Sequence, residues 1–142
     1  MSFFSKLVVL SLPLVPKSVV GYFSKRYIAG STIKDVVKEV KRLNSEGMCA
    51  TIDVLGESIK HIDQAKKPLG EYLQTLETIA NENLDANISI KPTQLGLMLD
   101  YKKCLENFSK IIESAKAKDN FVRIDMEDAP TTDATLRLYA QL

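Results

Sequence analysis

Residues 121–138 read FVRIDMEDAPTTDATLRL. Val122, Arg123, Ile124 and Asp125 alternate apolar and polar side chains as a half-buried strand does. Glu127 and Asp128 then fall in the turn before Pro130, and Thr131 or Thr132 opens a helix. In an α/β protein ligands bind outside the carboxyl ends of parallel strands. Three carboxylates crowded just past such an end are therefore placed for chemistry more than for packing. Weaker copies of the arrangement lie upstream, at DVLGE (53–57) and at Lys91.

Outward from this stretch the chain repeats the same unit. Thr32 with Asp35 three residues on forms a capping pair, and Ile33, Val36, Val37, Val40 and Leu43 make one helical stripe that Gly47 ends. A short strand follows at 48–52. Ile59, Ile62 and Ala65 lead to Pro68, and Leu69, Tyr72, Leu73, Leu76 and Ile79 continue an apolar face, as two helices or one broken one. Ala86–Ile90 read as a second strand running into Lys91 and Pro92. A helix then carries Tyr101, Leu105, Phe108, Ile111, Ile112 and Ala115 on one side. A helix followed by three strand-helix units demands parallel strands joined by right-handed crossovers. Alternation puts Thr51 with Asp53, Ser89 with Lys91 and Arg123 with Asp125 on shared faces. Polar faces of this kind suit the inside of a barrel mouth better than a sheet covered on both sides.

The 142 residues suffice for one domain, and 45% hydrophobic with 26% charged residues is ordinary globular composition. Nineteen basic against eighteen acidic residues give a net charge of +1, which supplies no field for nucleic acid. Cys49 and Cys104, with no CxxC and only His61 beside them, fit neither a zinc site nor a disulfide framework and read as two buried thiols. No metal is expected. The apolar run at 7–15, broken by Pro13, falls short of the roughly 20 residues that span a bilayer. No small-x-small cleavage pattern follows it, so residues 1–29 read as an arm that packs on the body or touches a membrane surface. There is no GxGxxG, GxxxxGK[ST], HExxH or GxSxG.

Among the charged strand ends, Asp53 also fits a turn or cap, and Glu57 the first turn of a helix. Lys91, immediately after a strand and before a proline, contributes nothing to the turn and needs a partner for its partial burial. Asp125 ends its strand with Glu127 and Asp128 beside it, so a positive group is expected there. His61 reads as a surface or edge histidine.

Four blocks, RYIAG (26–30), TIDVLGE (51–57), ISIKPTQLG (88–96) and VRIDMED (122–128), resemble the proline dehydrogenase family in this order and spacing. The likeness runs from about Arg26 onward and is nearest the short bacterial enzymes. It implies a flavin-containing (β/α)₈ TIM barrel that oxidises L-proline to Δ1-pyrroline-5-carboxylate by hydride transfer to FAD, with membrane quinone taking the electrons. By this resemblance Lys91 holds the substrate carboxylate, and Asp125 is the active-site aspartate that orders neighbouring cationic groups. Met126 lies against FAD, and Glu57 pairs with a late arginine to close the site. A whole barrel takes about 250 residues and eight strands. Residues 30–142 are accordingly expected to be its N-terminal portion, the first three βα units, preceded by N-terminal helices and cut within the third barrel helix. The location implied is cytoplasmic or peripheral to the inner membrane in a bacterium, and mitochondrial in a eukaryote. The competing expectation is a non-enzymatic three-strand module binding a metal or phosphate through Asp53, Asp125 and Glu127.

Overall fold

The computed structural model describes residues 16, 28–30, 32–56 and 58–142. Apart from Pro16, Ile28 and Ala29, the arm expected over residues 1–29 lies outside them. The chain divides into two compact units, Met1–Val36 and Val37–Leu142. In the first, the capping pair forms as the sequence indicates. The Thr32 N–H donates to Asp35 Oδ2 (3.0 Å) and the Asp35 N–H to Thr32 Oγ1 (3.3 Å), which satisfies donors left free at the start of helix α1 (Ile33–Ser45).

In the second unit the order is β1 (Ala50–Asp53), a 3₁₀ turn (Ile62–Ala65), α2 (Lys66–Asn81), β2 (Ala86–Ile90), a 3₁₀ turn (Pro92–Leu95), α3 (Tyr101–Lys116), β3 (Val122–Ile124), a 3₁₀ turn (Ala129–Thr131) and α4 (Thr132–Tyr139). The strands lie in the order β1-β2-β3 and every pairing is parallel. This is an α/β fold, as the alternation of elements requires. Pro68 breaks nothing. It is the third residue of α2, where the missing N–H is one that no helix satisfies internally, and the helix is entered through the 3₁₀ turn, so the region is one helix with a tight lead-in.

Register decides which side chains meet. Ile52 pairs with Ile88, Ile88 with Val122 and Ile90 with Ile124, so the even-numbered residues form the apolar rows. Ile88 and Ile90 are fully buried on the side covered by Tyr72, Leu76 and Ile79 of α2, with Cys104, Phe108, Ile111 and Ala115 of α3 completing the core. Each buried isoleucine, leucine or phenylalanine among them contributes about 1.5–3 kcal/mol by leaving water. The odd-numbered residues face the other way. Thr51 stands beside Asn87, and Asp53 is in line with Ser89 and Arg123.

Within the second unit Asn44, near the end of α1, ties the segments that lead into β1 and β2. Its Nδ2 donates to the carbonyls of Met48 (2.9 Å) and Asp85 (3.0 Å), and its Oδ1 accepts from the Asp85 N–H (3.0 Å). β1 starts two residues later than expected and takes in Asp53 rather than leaving it to a turn, β2 has the bounds expected, and β3 starts at Val122 as expected but ends at Ile124. The expectation of two buried thiols is corrected. Cys104 is buried, but Cys49 is exposed, just ahead of β1, which lies at the edge of the sheet formed by the described residues. The other edge, β3, borders an open groove of about 1040 Å³ with apolar walls that include Ile112, Phe121, Val122, Ile124, Tyr139 and Leu142.

Gly96 ends the turn after β2 with φ +101°, and a Cβ there would stand 2.4 Å from Ile62 Cδ1. Gly96→Ala should therefore cost about 1–3 kcal/mol through left-handed strain, read as a lower urea midpoint with an unchanged slope.

Candidate functional site

The odd-numbered face continues past the strand ends, and that continuation makes the site. Lys91 follows β2 directly and stays extended (φ −94°, ψ 113°), the conformation that a following proline imposes. Its side chain therefore stands on the face of Ser89. Asp125 likewise carries the pairing of β3 one residue on, its N–H donating to the Ile90 carbonyl at 2.9 Å. Lys91 Nζ donates to both oxygens of Asp53 (2.6 and 2.5 Å) and to Asp125 Oδ2 (3.3 Å). Ser89 Oγ donates to Asp125 Oδ1. The cation expected near Asp125 is thus Lys91, and Asp53 is its second carboxylate. Arg123, on the same face, instead lays its guanidinium over the Phe121 ring at 5.4 Å.

The three side chains are partly open to solvent, Lys91 at 24%, Asp125 at 35% and Asp53 at 38%. Burial pulls the Lys91 ammonium toward the neutral form, but the hydrogen bonds and charges of Asp53 and then Asp125 outweigh it, and the pKa is raised. One ammonium against two carboxylates leaves the cluster with an excess negative charge. It presents a donor and acceptors at one opening, an arrangement suited to a small zwitterion.

A second set of groups holds the loops behind this cluster. Tyr72, fully buried on α2, accepts the Lys91 backbone N–H (3.2 Å) and donates its hydroxyl to Gln94 Oε1 (3.0 Å). Gln94 Nε2 in turn donates to the Val54 carbonyl at 3.4 Å. Burial first, and then the charges of Asp53, Asp125 and Glu127, raise the Tyr72 pKa above the ordinary phenol value against the Lys91 hydrogen bond, so the hydroxyl stays a donor. Glu127 accepts from the Thr93 N–H (2.9 Å) and the Thr93 hydroxyl (2.7 Å). It grips the neighbouring turn instead of capping its own. Cys104 lies beneath that turn against the Pro92 carbonyl (3.7 Å), and burial, with Asp100 and Glu127, pushes its thiol up to about 12.

Of the residues singled out in the sequence, Asp53, Lys91 and Asp125 come together. Met126 lies one residue past Asp125 and is 55% exposed, His61 is exposed, and Asp128 is exposed with no side-chain cap. Glu57 lies outside the described residues. Tyr72 and Gln94 were legible only as an apolar-stripe member and a turn residue, because nothing in helical period tells where a hydroxyl ends up. Among the described residues no group of three or more His, Cys, Asp or Glu side chains is arranged to hold a metal.

A raised Lys91 pKa stabilises the folded chain fully below the unfolded lysine value of about 10.4, and that contribution fades as pH climbs through the higher folded value. Urea unfolding of the wild type and Lys91→Met between pH 8 and 12 should show their stability gap constant at first and narrowing above about pH 10.4.

Residues 36–142 match the family model described as proline dehydrogenase. The chain is 41% identical over 118 residues to proline dehydrogenase 1 of Bacillus subtilis subsp. natto, covering 83% of this chain and 39% of that protein. It is 34% identical over 114 residues to proline dehydrogenase 2 of Bacillus subtilis strain 168, covering 80% and 38%. Its fold resembles the crystal structure of proline utilization A (PutA) from Bdellovibrio bacteriovorus inactivated by N-propargylglycine, with a TM-score of 0.81 at 20% identity over 89% of this chain and 16% of that one. The chain thus spans about 39% of the length of the Bacillus subtilis proline dehydrogenase 1 it matches. With all three strands and the charged residues beyond them inside the matched region, the chain belongs to the proline dehydrogenase family.

Proposed function

We propose that this chain is the N-terminal portion of an FAD-dependent proline dehydrogenase, which oxidises L-proline to Δ1-pyrroline-5-carboxylate. The observation that carries this reading is the Lys91 ammonium held between Asp53 and Asp125 at the carboxyl ends of three parallel strands, within a chain of that family. A sheet covered by helices on its apolar face, with ligand-type residues on the other, supports reading it as the first three βα units of a (β/α)₈ barrel. Residues 1–29 would be a preceding arm and residues 30–142 the barrel portion.

The residues present suit part of a flavin's surroundings. Met126 offers an exposed, polarizable thioether beside the carboxylates, fit to lie against a flat ring. FAD, when bound, supplies the acceptor for the hydride that leaves the proline ring carbon beside nitrogen. Lys91 binds the substrate carboxylate. Its two short bonds to Asp53 keep the ammonium in place, while the longer one to Asp125 is the contact given up for substrate. Asp125, still held by Ser89, keeps its direction and orders cationic groups around the ligand. Orientation of this kind is what positioned charged clamps contribute. Glu57 would pair with an arginine elsewhere in the protein to close the site. Membrane quinone is the proposed acceptor of the electrons, with the enzyme cytoplasmic or peripheral to the inner membrane. Among the described residues no helix is long and apolar enough to cross a membrane.

The competing reading as a metal- or phosphate-binding module loses support on geometry. Glu127 is turned toward Thr93, and Lys91 fills the space between the two aspartates that would ligate a cation.

Fusing residues 36–142 to the part of the Bacillus subtilis relative that this chain does not span should give a yellow protein that reduces a dye in a proline-dependent way. A folded, flavin-loaded chimera without proline-dependent reduction would sink the activity. The 142-residue chain alone, mixed with FAD, should leave gel filtration colourless. In the chimera, Lys91→Ala should lower kcat/KM on the order of 100-fold with little change in melting temperature. Asp125→Ala should cost more activity than Glu127→Ala or Asp128→Ala, since only Asp125 touches Lys91.

A further inference from the structure

We infer that Tyr72 and Glu127 are positioning residues that together set where the Lys91 ammonium stands. The inference rests on the reading of Lys91 given under the proposed function. Lys91 is the last backbone donor of its strand before Pro92, which has no N–H. That donor goes not to a neighbouring strand but to the Tyr72 hydroxyl, fully buried on α2. Through Gln94 the same hydroxyl is tied to the Val54 carbonyl, the residue after Asp53. Glu127, two residues past Asp125, takes both the N–H and the hydroxyl of Thr93, two residues past Lys91. The segments leaving all three strands are therefore cross-tied immediately behind the side chains that form the cluster.

Stability is a weak reason for this arrangement. A net hydrogen bond contributes only about 1 kcal/mol, although Tyr72→Phe, which keeps the core volume, would also leave the Lys91 N–H and Gln94 Oε1 without this partner. A fixed backbone at Lys91 has a sharper effect, because a clamp displaced by about 1 Å loses much of its orienting power.

Amide hydrogen exchange and NMR titration of the Lys91 ε-methylene, on the 142-residue chain without flavin or proline, test this independently of the proposed activity. In Tyr72→Phe the Lys91 amide should exchange about tenfold faster while Thr75, Leu76 and Ile88 keep their protection. The Lys91 titration should also move down toward the ordinary lysine value. Glu127→Ala should do the same to the Thr93 amide and to the Lys91 titration, and Glu127→Gln, which keeps an acceptor oxygen, should restore much of both. Unchanged Lys91 protection in Tyr72→Phe overturns the inference for Tyr72, as does a loss spread evenly over α2 and β2 or a failure to fold, either of which gives the hydroxyl a purely structural role. A Lys91 titration indifferent to both Glu127 variants overturns it for Glu127. A positive result here beside an inactive chimera removes the proposed activity and leaves the positioning intact.

Discussion

Successive side chains on a strand point to opposite faces, and three parallel strands in register turn that period into rows. Ile52, Ile88 and Val122 form one row, and Asp53, Ser89 and Arg123 another. The apolar rows need the cover that α2 and α3 provide. The polar rows carry their alternation past the strand ends to Lys91 and Asp125, where the buried Ser89 hydroxyl is satisfied by Asp125. A slip of one residue in β2 would aim Ile90 at solvent and drive Lys91 into the core, so burial of the isoleucines is what keeps the lysine at the site.

Within that frame the charged cluster is poised between two costs. Lys91 is buried enough to disfavour its charge, and only the two aspartates offset this. Pairs this open to water contribute little to folding, so stability alone does not account for the cluster, which is what the proposed role in binding a substrate carboxylate would explain. Its contacts are unequal, short to Asp53 and long to Asp125, and an ammonium with one weak partner has a donor direction to offer a ligand. The buried Tyr72 and Gln94 tie the backbone beneath it, through the Lys91 N–H and the Val54 carbonyl.

The relatives and the geometry speak to different things. Identity of 34% to 41% and a family model across residues 36–142 establish kinship, whereas the 20% identical PutA chain, at a TM-score of 0.81, establishes shared fold alone. The groove along β3, with the exposed Phe121 and Tyr139 among its walls, lies on the sheet edge. A free edge with apolar walls is the kind of surface proteins ordinarily cover.

The sequence by itself determined the alternation of helix and strand, the parallel sheet, the Thr32 cap and the candidacy of Lys91 and Asp125, because these follow from side-chain period, capping chemistry and the nearest neighbours in the chain. It also carried the family likeness through ISIKPTQLG and VRIDMED. It misplaced Cys49, since nothing local says whether that thiol is covered, and it left Asp53 between a cap and a site. Tertiary structure decided what depends on register and on contacts distant in the chain. It brought Asp53 to Lys91 and turned Glu127 onto Thr93. It also set the Tyr72 hydroxyl under the Lys91 amide, a meeting fixed by how α2 crosses the sheet, which the helical period of its own residues cannot specify.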